Sequence, residues 1–332
     1  MIKRILGLAA LLVPLVAGTA FAQQPVRVGT GFGIGFLPLM IADELDLIEK
    51  HGRAAGLNLR GEFQRFSGSA AMNDAILSGS VDAGGYGLPA LLIAWDRARN
   101  TPNQIFAVGG ITTQPLILLT NKPGVTALGG FAAADKIAMP ALVSPQMYVL
   151  QLAAERAFGA GQHDRLRGNV VALPHPDALA AIVSGGTEVA GYFSSAPFTQ
   201  IALRDSKVRA VLSSADVLGG PASFLVLGAT RRYLQANPQM ARVFHAALGE
   251  AADLIKREPR RAAEIYLKVE PSRILDVDAI EALLKEMADD FGPTVRGAKV
   301  YADFMARIGQ LRNPPADWKE IADPVLHAAP GS

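Results

Sequence analysis

The sequence predicts an α/β protein made of two strand–helix units followed by a helical C-terminal region. Three observations predict it. Short apolar runs alternate with helix-periodic segments between residues 26 and 120. The same alternation restarts after Asn121-Lys122-Pro123-Gly124 and continues to 227. From Arg231 onward the apolar spacing is helical alone. The chain has 332 residues, enough for about two domains at ~150 residues each. Half of its positions are apolar and 19% are charged, which excludes a disordered chain.

In the first unit, 26–30 reads as a short buried strand. Residues 37–50 read as one helix, with Leu37, Met40, Ile41, Leu45 and Ile48 on its apolar face. Residues 57–66 alternate as a strand through Leu57, Leu59, Phe63 and Phe66. A helix is predicted over 69–77, a strand over 81–86, a helix over 90–98, and strands over 105–111 and 116–120. In the second unit the strands are 136–139, 170–173, 189–193 and 208–212, with helices over 145–158, 177–183 and 197–203. A further apolar strand spans 223–227. Helices then cover 238–257, 259–267, 278–291 and 299–308. The Pro/Ala-rich tail from Asn313 is expected to be loosely held. Strands that alternate with helices imply mainly parallel sheets with helices on their faces. The pattern leaves two layouts open: tandem domains, or a second unit inserted into the first through crossings near 116–120 and 223–227.

Residues 1–22 have the layout of a cleavable secretory signal peptide. Lys3 and Arg4 precede an apolar run over 5–16, and Ala20-Phe21-Ala22 is a small-x-small cleavage site. The expected destination is the periplasm or the cell exterior. Removing Lys3 and Arg4 with the leader brings 32 basic residues down to 30, equal to the 30 acidic ones. A neutral chain without a basic stripe argues against nucleic acid as partner. The absence of cysteine excludes disulfides, thiolate metal sites, cysteine nucleophiles and a lipidated N-terminus. No cofactor is expected, because an exported chain does not meet soluble nucleotides.

Ligands of open α/β sheets sit beyond the carboxyl ends of strands, where helix N-termini present N–H groups. Four strand-to-helix regions have suitable chemistry. The segment GTGFGIGF (29–36) lacks GxGxxG spacing, so it does not signal a dinucleotide. It reads as backbone that a ligand can approach closely, with Phe32 or Phe36 as a wall. Phe66-Ser67-Gly68-Ser69 precedes a helix, and Ser67 or Ser69 suits its N-cap. Gly84-Gly85-Tyr86-Gly87 follows a strand and offers a ring and a hydroxyl. In the second unit, Ser144-Pro145 reads as an N-cap followed by proline at the first helical position. Tyr192-Phe193-Ser194-Ser195 ends a strand there, and Ser223 precedes the candidate return crossing. Together these suggest a cleft lined by hydroxyls, N–H groups and a few aromatic rings.

Catalytic signatures do not appear. There is no GxSxG and no HExxH. His51, His163, His175, His245 and His327 are scattered and read as surface residues, and Asp289-Asp290 reads as solvated charge.

The stretches FLPLMIADELDLIEKHG (36–52), FSGSAAMNDAILSGSVDAG (66–84) and KIAMPALVSPQMYVLQLAAE (136–155) resemble the periplasmic substrate-binding proteins of ABC importers, in the nitrate/sulfonate/taurine group that also includes pyrimidine-precursor binders. The resemblance implies the two-lobe, type II periplasmic binding protein fold with the inserted layout: 23–115 plus 225–332 as lobe one and 116–224 as lobe two. It implies an expected monomer that traps a small anionic or polar organic solute between its lobes and delivers it to a membrane permease driven by a cytoplasmic ATPase. Carried over by position, the implied ligand-facing residues are Gly35, Phe36, Ser67, Gly68, Ser69, Tyr86, Gly87, Ser144, Gln146, Tyr192, Ser194 and Ser223. Hinges are implied near 114–122 and 221–227. The chain departs from the family pattern at YFSSAPF (192–198), where many members have a Trp- or Asp-rich turn. That leaves room for an aromatic or less charged ligand. An exported enzyme on the same fold and a ligand-sensing partner of a membrane receptor are the alternative readings.

Overall fold

The structure is a computed structural model that describes residues 23–332; the expected leader lies outside them. Ten strands form two five-stranded sheets. The strands are β1 (Gln24–Thr30), β2 (Leu59–Arg65), β3 (Ala83–Gly87), β4 (Ile105–Thr112), β5 (Ile117–Thr120), β6 (Lys136–Met139), β7 (Val170–Ala172), β8 (Val189–Ser194), β9 (Arg209–Ser213) and β10 (Leu225–Thr230). The first sheet has the order β2-β1-β3-β10-β4 and the second β7-β6-β8-β5-β9. β1 pairs in parallel with β2 and β3, and β6 pairs in parallel with β7 and β8. β10 runs antiparallel to β3 and β4, and β5 runs antiparallel to β8 and β9.

Each sheet is therefore mixed, where the sequence predicts mainly parallel pairing. The reason is topological. β5 enters the second sheet and β10 returns to the first, so each crossing strand runs against its neighbours. The other strands of each sheet all point one way, and their carboxyl ends share one edge.

The helices are α1 (Leu37–Glu44), α2 (Leu47–Ala54), α3 (Ser69–Ser78), α4 (Leu88–Arg97), α5 (Pro145–Phe158), α6 (His175–Ser184), α7 (Phe198–Ala202), α8 (Ser214–Leu218), α9 (Arg231–Ala236), α10 (Met240–Arg257), α11 (Pro259–Val269), α12 (Val277–Glu286) and α13 (Ala298–Arg307). The single helix expected over 37–50 is two. Asp46 takes a left-handed φ of 49°, which aspartate tolerates better than most residues, and the chain turns there. α8 and α9 are absent from the sequence reading. Each starts at a hydroxyl cap: Ser213 Oγ accepts from Ala215 N–H, and Thr230 Oγ1 accepts from Tyr233 N–H.

Among the described residues, no helix is long and apolar enough to cross a membrane. The tail is tied down, contrary to expectation. The buried Asp96 carboxylate accepts from Arg312 N–H (2.7 Å), Asn313 N–H (3.1 Å) and Asn313 Nδ2 (3.1 Å). Ala322 bridges Ala107 of β4 in parallel, and Trp318, Ile321 and Leu326 are buried. The last residue, Ser332, accepts from Gly297 N–H through Oγ and from Ala298 N–H through its carbonyl. The Pro/Ala-rich composition concealed these apolar anchors. Asp96→Ala is expected to cost about 2 kcal/mol, because it removes three hydrogen bonds to a charged carboxylate at once. A urea unfolding series compared with wild type measures it, and an unshifted midpoint would show the tail is held by its apolar anchors alone.

Candidate ligand-binding site

Because β1, β2 and β3 end on one edge, and β6 and β7 on the facing edge, their outgoing loops meet. Between them lies a cavity of about 50 Å³. The loop after β1 gives Gly31, Phe32 and Phe36; the loop after β2 gives Phe66, Ser67, Gly68 and Ser69; the end of β3 gives Gly85, Tyr86 and Gly87. From the second sheet, the loop after β6 gives Pro140, Ala141, Ser144, Pro145 and Gln146, and β7 leads to His175. Phe224 and Leu225 close the wall at the start of β10.

Four helices of ten or more residues, α3, α4, α5 and α6, begin at this wall. Their N-termini carry partial positive charge and unpaired N–H groups. The α3 terminus has Gly68 at its N-cap with no side-chain cap. Ser69, which the sequence offers as a cap, instead accepts from Gly87 N–H at 3.2 Å and so joins α3 to the end of β3. Ser144 does cap its helix, accepting from Met147 N–H at 3.3 Å. Pro145 supplies the first helical position without an N–H.

At the wall, Thr30 Oγ1 and both amide atoms of Gln146 are buried and have no hydrogen-bond partner within the protein, whereas Tyr86 turns its unpartnered hydroxyl away from the cavity, against Gly228 of β10. Burial pushes the Tyr86 phenol far up, so it stays protonated. No lysine, arginine, aspartate or glutamate lines the cavity.

The one ionisable imidazole at the wall is His175, which the sequence reading placed at the surface. It is 6% exposed, stacked on Phe198 with ring centroids 5.2 Å apart, and burial lowers its pKa to about 4. Its Nδ1 lies 2.5 Å from Tyr192 OH and its Nε2 3.3 Å from Ser195 Oγ. The Ser195–His175 pair has the order of a nucleophile and base, yet Ser195 is 1% exposed and does not line the cavity. The Pro174-His175-Pro176 setting read as a surface turn because its burial comes from β8 and α7, which are distant in sequence.

Of the residues offered by the sequence, Phe36, Ser67, Gly68, Ser69, Tyr86, Gly87, Ser144 and Gln146 come together at this cavity. Gly35, Tyr192, Ser194 and Ser223 do not line it. Gly35 packs against Gln114, Phe224 and Leu225. Tyr192 sits in the core of the second sheet, with its hydroxyl engaged by His175. Ser194 Oγ donates to Ile117 O (3.0 Å) and lies 2.7 Å from Thr199 Oγ1; Ser223 Oγ accepts from Arg296 N–H at 2.9 Å. All six residues of β8 are buried, so YFSSAPF builds core rather than wall. Sequence reasoning missed Thr30, His175 and Phe224 as lining residues. Thr30 and His175 flank strand ends, a position that could have flagged them.

Beyond Phe32, outside the cavity lining, Glu270 receives Gly33 N–H through both oxygens (3.0 and 3.1 Å) and the Tyr266 hydroxyl at 3.1 Å, with Arg65 at 3.5 Å. Burial raises the Glu270 pKa, with these partners acting against it. Arg65 lies over the Phe32 ring at 4.9 Å. The next residue along, Ile34, donates to Ala196 O at 3.2 Å, joining the loop after β1 to the second-sheet side. Arg204 to Ile274 O (2.8 Å), Arg307 to Glu155, and an edge contact between His163 and Phe304 make further links across the cleft.

This geometry, a closed cleft walled by strand ends and helix N-termini from two sheets, is that of a solute-binding fold. The sequence matches the NMT1-like family over residues 20–267, and the chain belongs to that family. No curated protein matches the sequence significantly. Among solved structures, the chain is similar to the alkanesulfonate-binding protein SsuA from Xanthomonas axonopodis pv. citri bound to MOPS. Identity is 16% and the TM-score 0.67, over 87% of this chain and 94% of that one. It is also similar to the periplasmic aliphatic sulphonate binding protein SsuA from Escherichia coli, at 18% identity and TM-score 0.66, over 92% and 99%. The periplasmic nitrate-binding protein NrtA from Synechocystis PCC 6803 matches at 14% identity and TM-score 0.65, over 90% and 84%. The fold is therefore that of the periplasmic binding proteins, as the resemblance read from 36–52, 66–84 and 136–155 implies.

Stability should fall in acid because of His175. Unfolded, it titrates near 6.5; folded, at about 4. Below 6.5 the unfolded chain binds a proton that the native state refuses, so stability present above that pH is lost as pH falls toward 4. The loss amounts to up to about 3 kcal/mol. Urea unfolding of wild type and His175→Gln between pH 7 and 4 measures it. The variant should lack this part of the slope, and equal slopes would remove His175 as its source.

Proposed function

We propose that this chain is the periplasmic solute-binding component of an ABC importer. On this reading, lobe one comprises 23–115 with 225–332, lobe two comprises 116–224, and the crossings at 114–122 and 221–227 act as hinges. The solute is a small anionic or polar organic molecule, sulfonate-like or an aromatic carboxylate. Its head meets the N-termini of α3, α4 and α5, and its body meets Phe32, Phe36, Phe66 and Phe224. The observation that carries the reading is the cavity itself: loops from two sheets line it, with buried unpartnered Thr30 and Gln146 at its wall. A solute touching both sides is bound fully only when the cleft is shut, so it favours the shut state by its differential affinity. The closed monomer then docks on a membrane permease driven by a cytoplasmic ATPase. The leader-like layout of residues 1–22 supports export, and the SsuA and NrtA structures are periplasmic by their own descriptions.

The reading makes Gly87 a closure residue. A methyl group there would stand 2.4 Å from Pro145 Cδ across the cleft, while φ −61° and ψ 135° suit any residue. Gly87→Ala therefore obstructs closing without straining the backbone. A thermal-shift screen over sulfonates, nitrate, pyrimidines and aromatic carboxylates tests both points. A true solute at about 100 times its Kd should stabilise wild type by about 2.7 kcal/mol. In Gly87→Ala the same solute should bind about tenfold or more weakly, because overpacking a rigid contact costs upward of about 1 kcal/mol. Turnover of a solute by purified protein would favour an enzyme instead, and a Gly87→Ala protein that binds normally would remove the closure contact.

A further inference from the structure

We propose, resting on the solute-binding reading above but replacing its sulfonate-like or carboxylate head with a neutral one, that Gln146 sets the specificity of the cavity, and that the solute head it reads is an uncharged carboxamide-type edge with a hydrogen-bond acceptor beside a donor. Gln146 is fully buried at the start of α5 and lines the cavity, and neither Oε1 nor Nε2 has a partner within the protein. Buried polar atoms are nearly always paired. The complement of this side chain must therefore bring a donor to Oε1 and an acceptor to Nε2. The conclusion holds whichever way round the amide is placed, because either placement shows one donor and one acceptor.

Nitrate, sulfonates and carboxylates carry oxygens that only accept. Such a head would satisfy Nε2 and set a negative oxygen against Oε1. The rest of the wall points the same way. It holds no lysine or arginine to balance an anion. His175 cannot supply the charge, since Tyr192 and Ser195 engage both its ring nitrogens and burial keeps it neutral. The N-termini of α3, α4 and α5 favour the oxygen end of a neutral dipole. For a full charge taken out of water they offset the desolvation cost only in part.

The hydroxyl groups complete the pattern. Ser69 and Ser144 already accept, from Gly87 N–H and Met147 N–H, which leaves their own O–H groups as donors toward a carbonyl oxygen. Thr30 has no partner and can turn to either role. Gln146 is thus the one side chain of the cavity that offers a fixed donor and a fixed acceptor side by side, the arrangement that an amide or lactam edge answers.

The test compares solutes that differ only at the head: benzamide, benzoate and benzenesulfonate, with acetamide, acetate and methanesulfonate as a smaller set. Titration calorimetry and thermal shift are run on wild type, Gln146→Met and Gln146→Glu. In wild type an amide should bind about tenfold or more tightly than its matched acid and sulfonate, the equivalent of about 1.4 kcal/mol. Gln146→Met should bring the matched Kd values to within about threefold of one another. It should leave the unliganded melting temperature equal or higher, because it removes an unpaired buried amide. Gln146→Glu should weaken amide binding further. An acid or sulfonate binding wild type as tightly as its amide overturns the proposal. So does a preference that survives in Gln146→Met, or a lowered unliganded melting temperature in that variant. If neither set binds wild type while another solute of the wider screen does, the head-group inference fails and the solute-binding reading stands. If nothing in the wider screen binds, both fail.

Discussion

The structure depends on the chain crossing between its sheets twice. β5 carries it out of the first sheet and β10 brings it back, each running against its neighbours. That requirement fixes how the sheets face each other. The strands on either side of the crossings send their carboxyl ends to one shared edge, so the following loops and helix N-termini converge. The cavity follows from this arrangement and needs no separate element to form it. Phe224 and Leu225, at the start of the return strand, complete its wall.

Convergence of helix termini creates a polar site without formal charge. Its donors are backbone N–H groups and hydroxyls, and its ionisable imidazole is held neutral by burial. On the proposed reading, such a wall selects by shape and hydrogen-bond pattern more than by net charge. It also leaves polar atoms of Thr30 and Gln146 buried and unpaired within the protein. Glycine at 85 and 87 lets the parts approach. Phe36 packs where a Gly85 side chain would stand, and Pro145 where a Gly87 side chain would stand.

Much of this was legible in the sequence, for identifiable reasons. The strand at Lys136–Met139 and the helix at Pro145–Phe158 have the bounds read from pattern, because Ser144-Pro145 is an unambiguous start and Gly159 an unambiguous stop. Strand-end loops were the right place to seek the cavity, and Ser69, Tyr86 and Ser144 were found that way, while Gln146 came from the family resemblance alone. Tertiary context decided the rest. The break at Asp46 depends on a left-handed turn inside an otherwise helical pattern. The tail is held by Asp96, more than two hundred residues away in the chain. His175 is buried by partners from β8 and α7, and Tyr192 and Ser194 turn inward because β8 is covered on both faces. Those facts depend on which surfaces meet, and local spacing does not record that.

The central claim is that two halves of the molecule shut over a solute. The chain contains no cysteine, so two introduced thiols label cleanly. Leu77 on α3 and Leu142 before α5 are exposed on opposite sides of the cleft. Spin labels at Leu77→Cys and Leu142→Cys, read by pulsed dipolar spectroscopy, report the separation directly. The account predicts a distribution with a longer-distance component in the solute-free protein, which collapses to the short component when the most stabilising solute is added. A single distribution that no stabilising solute changes would contradict it.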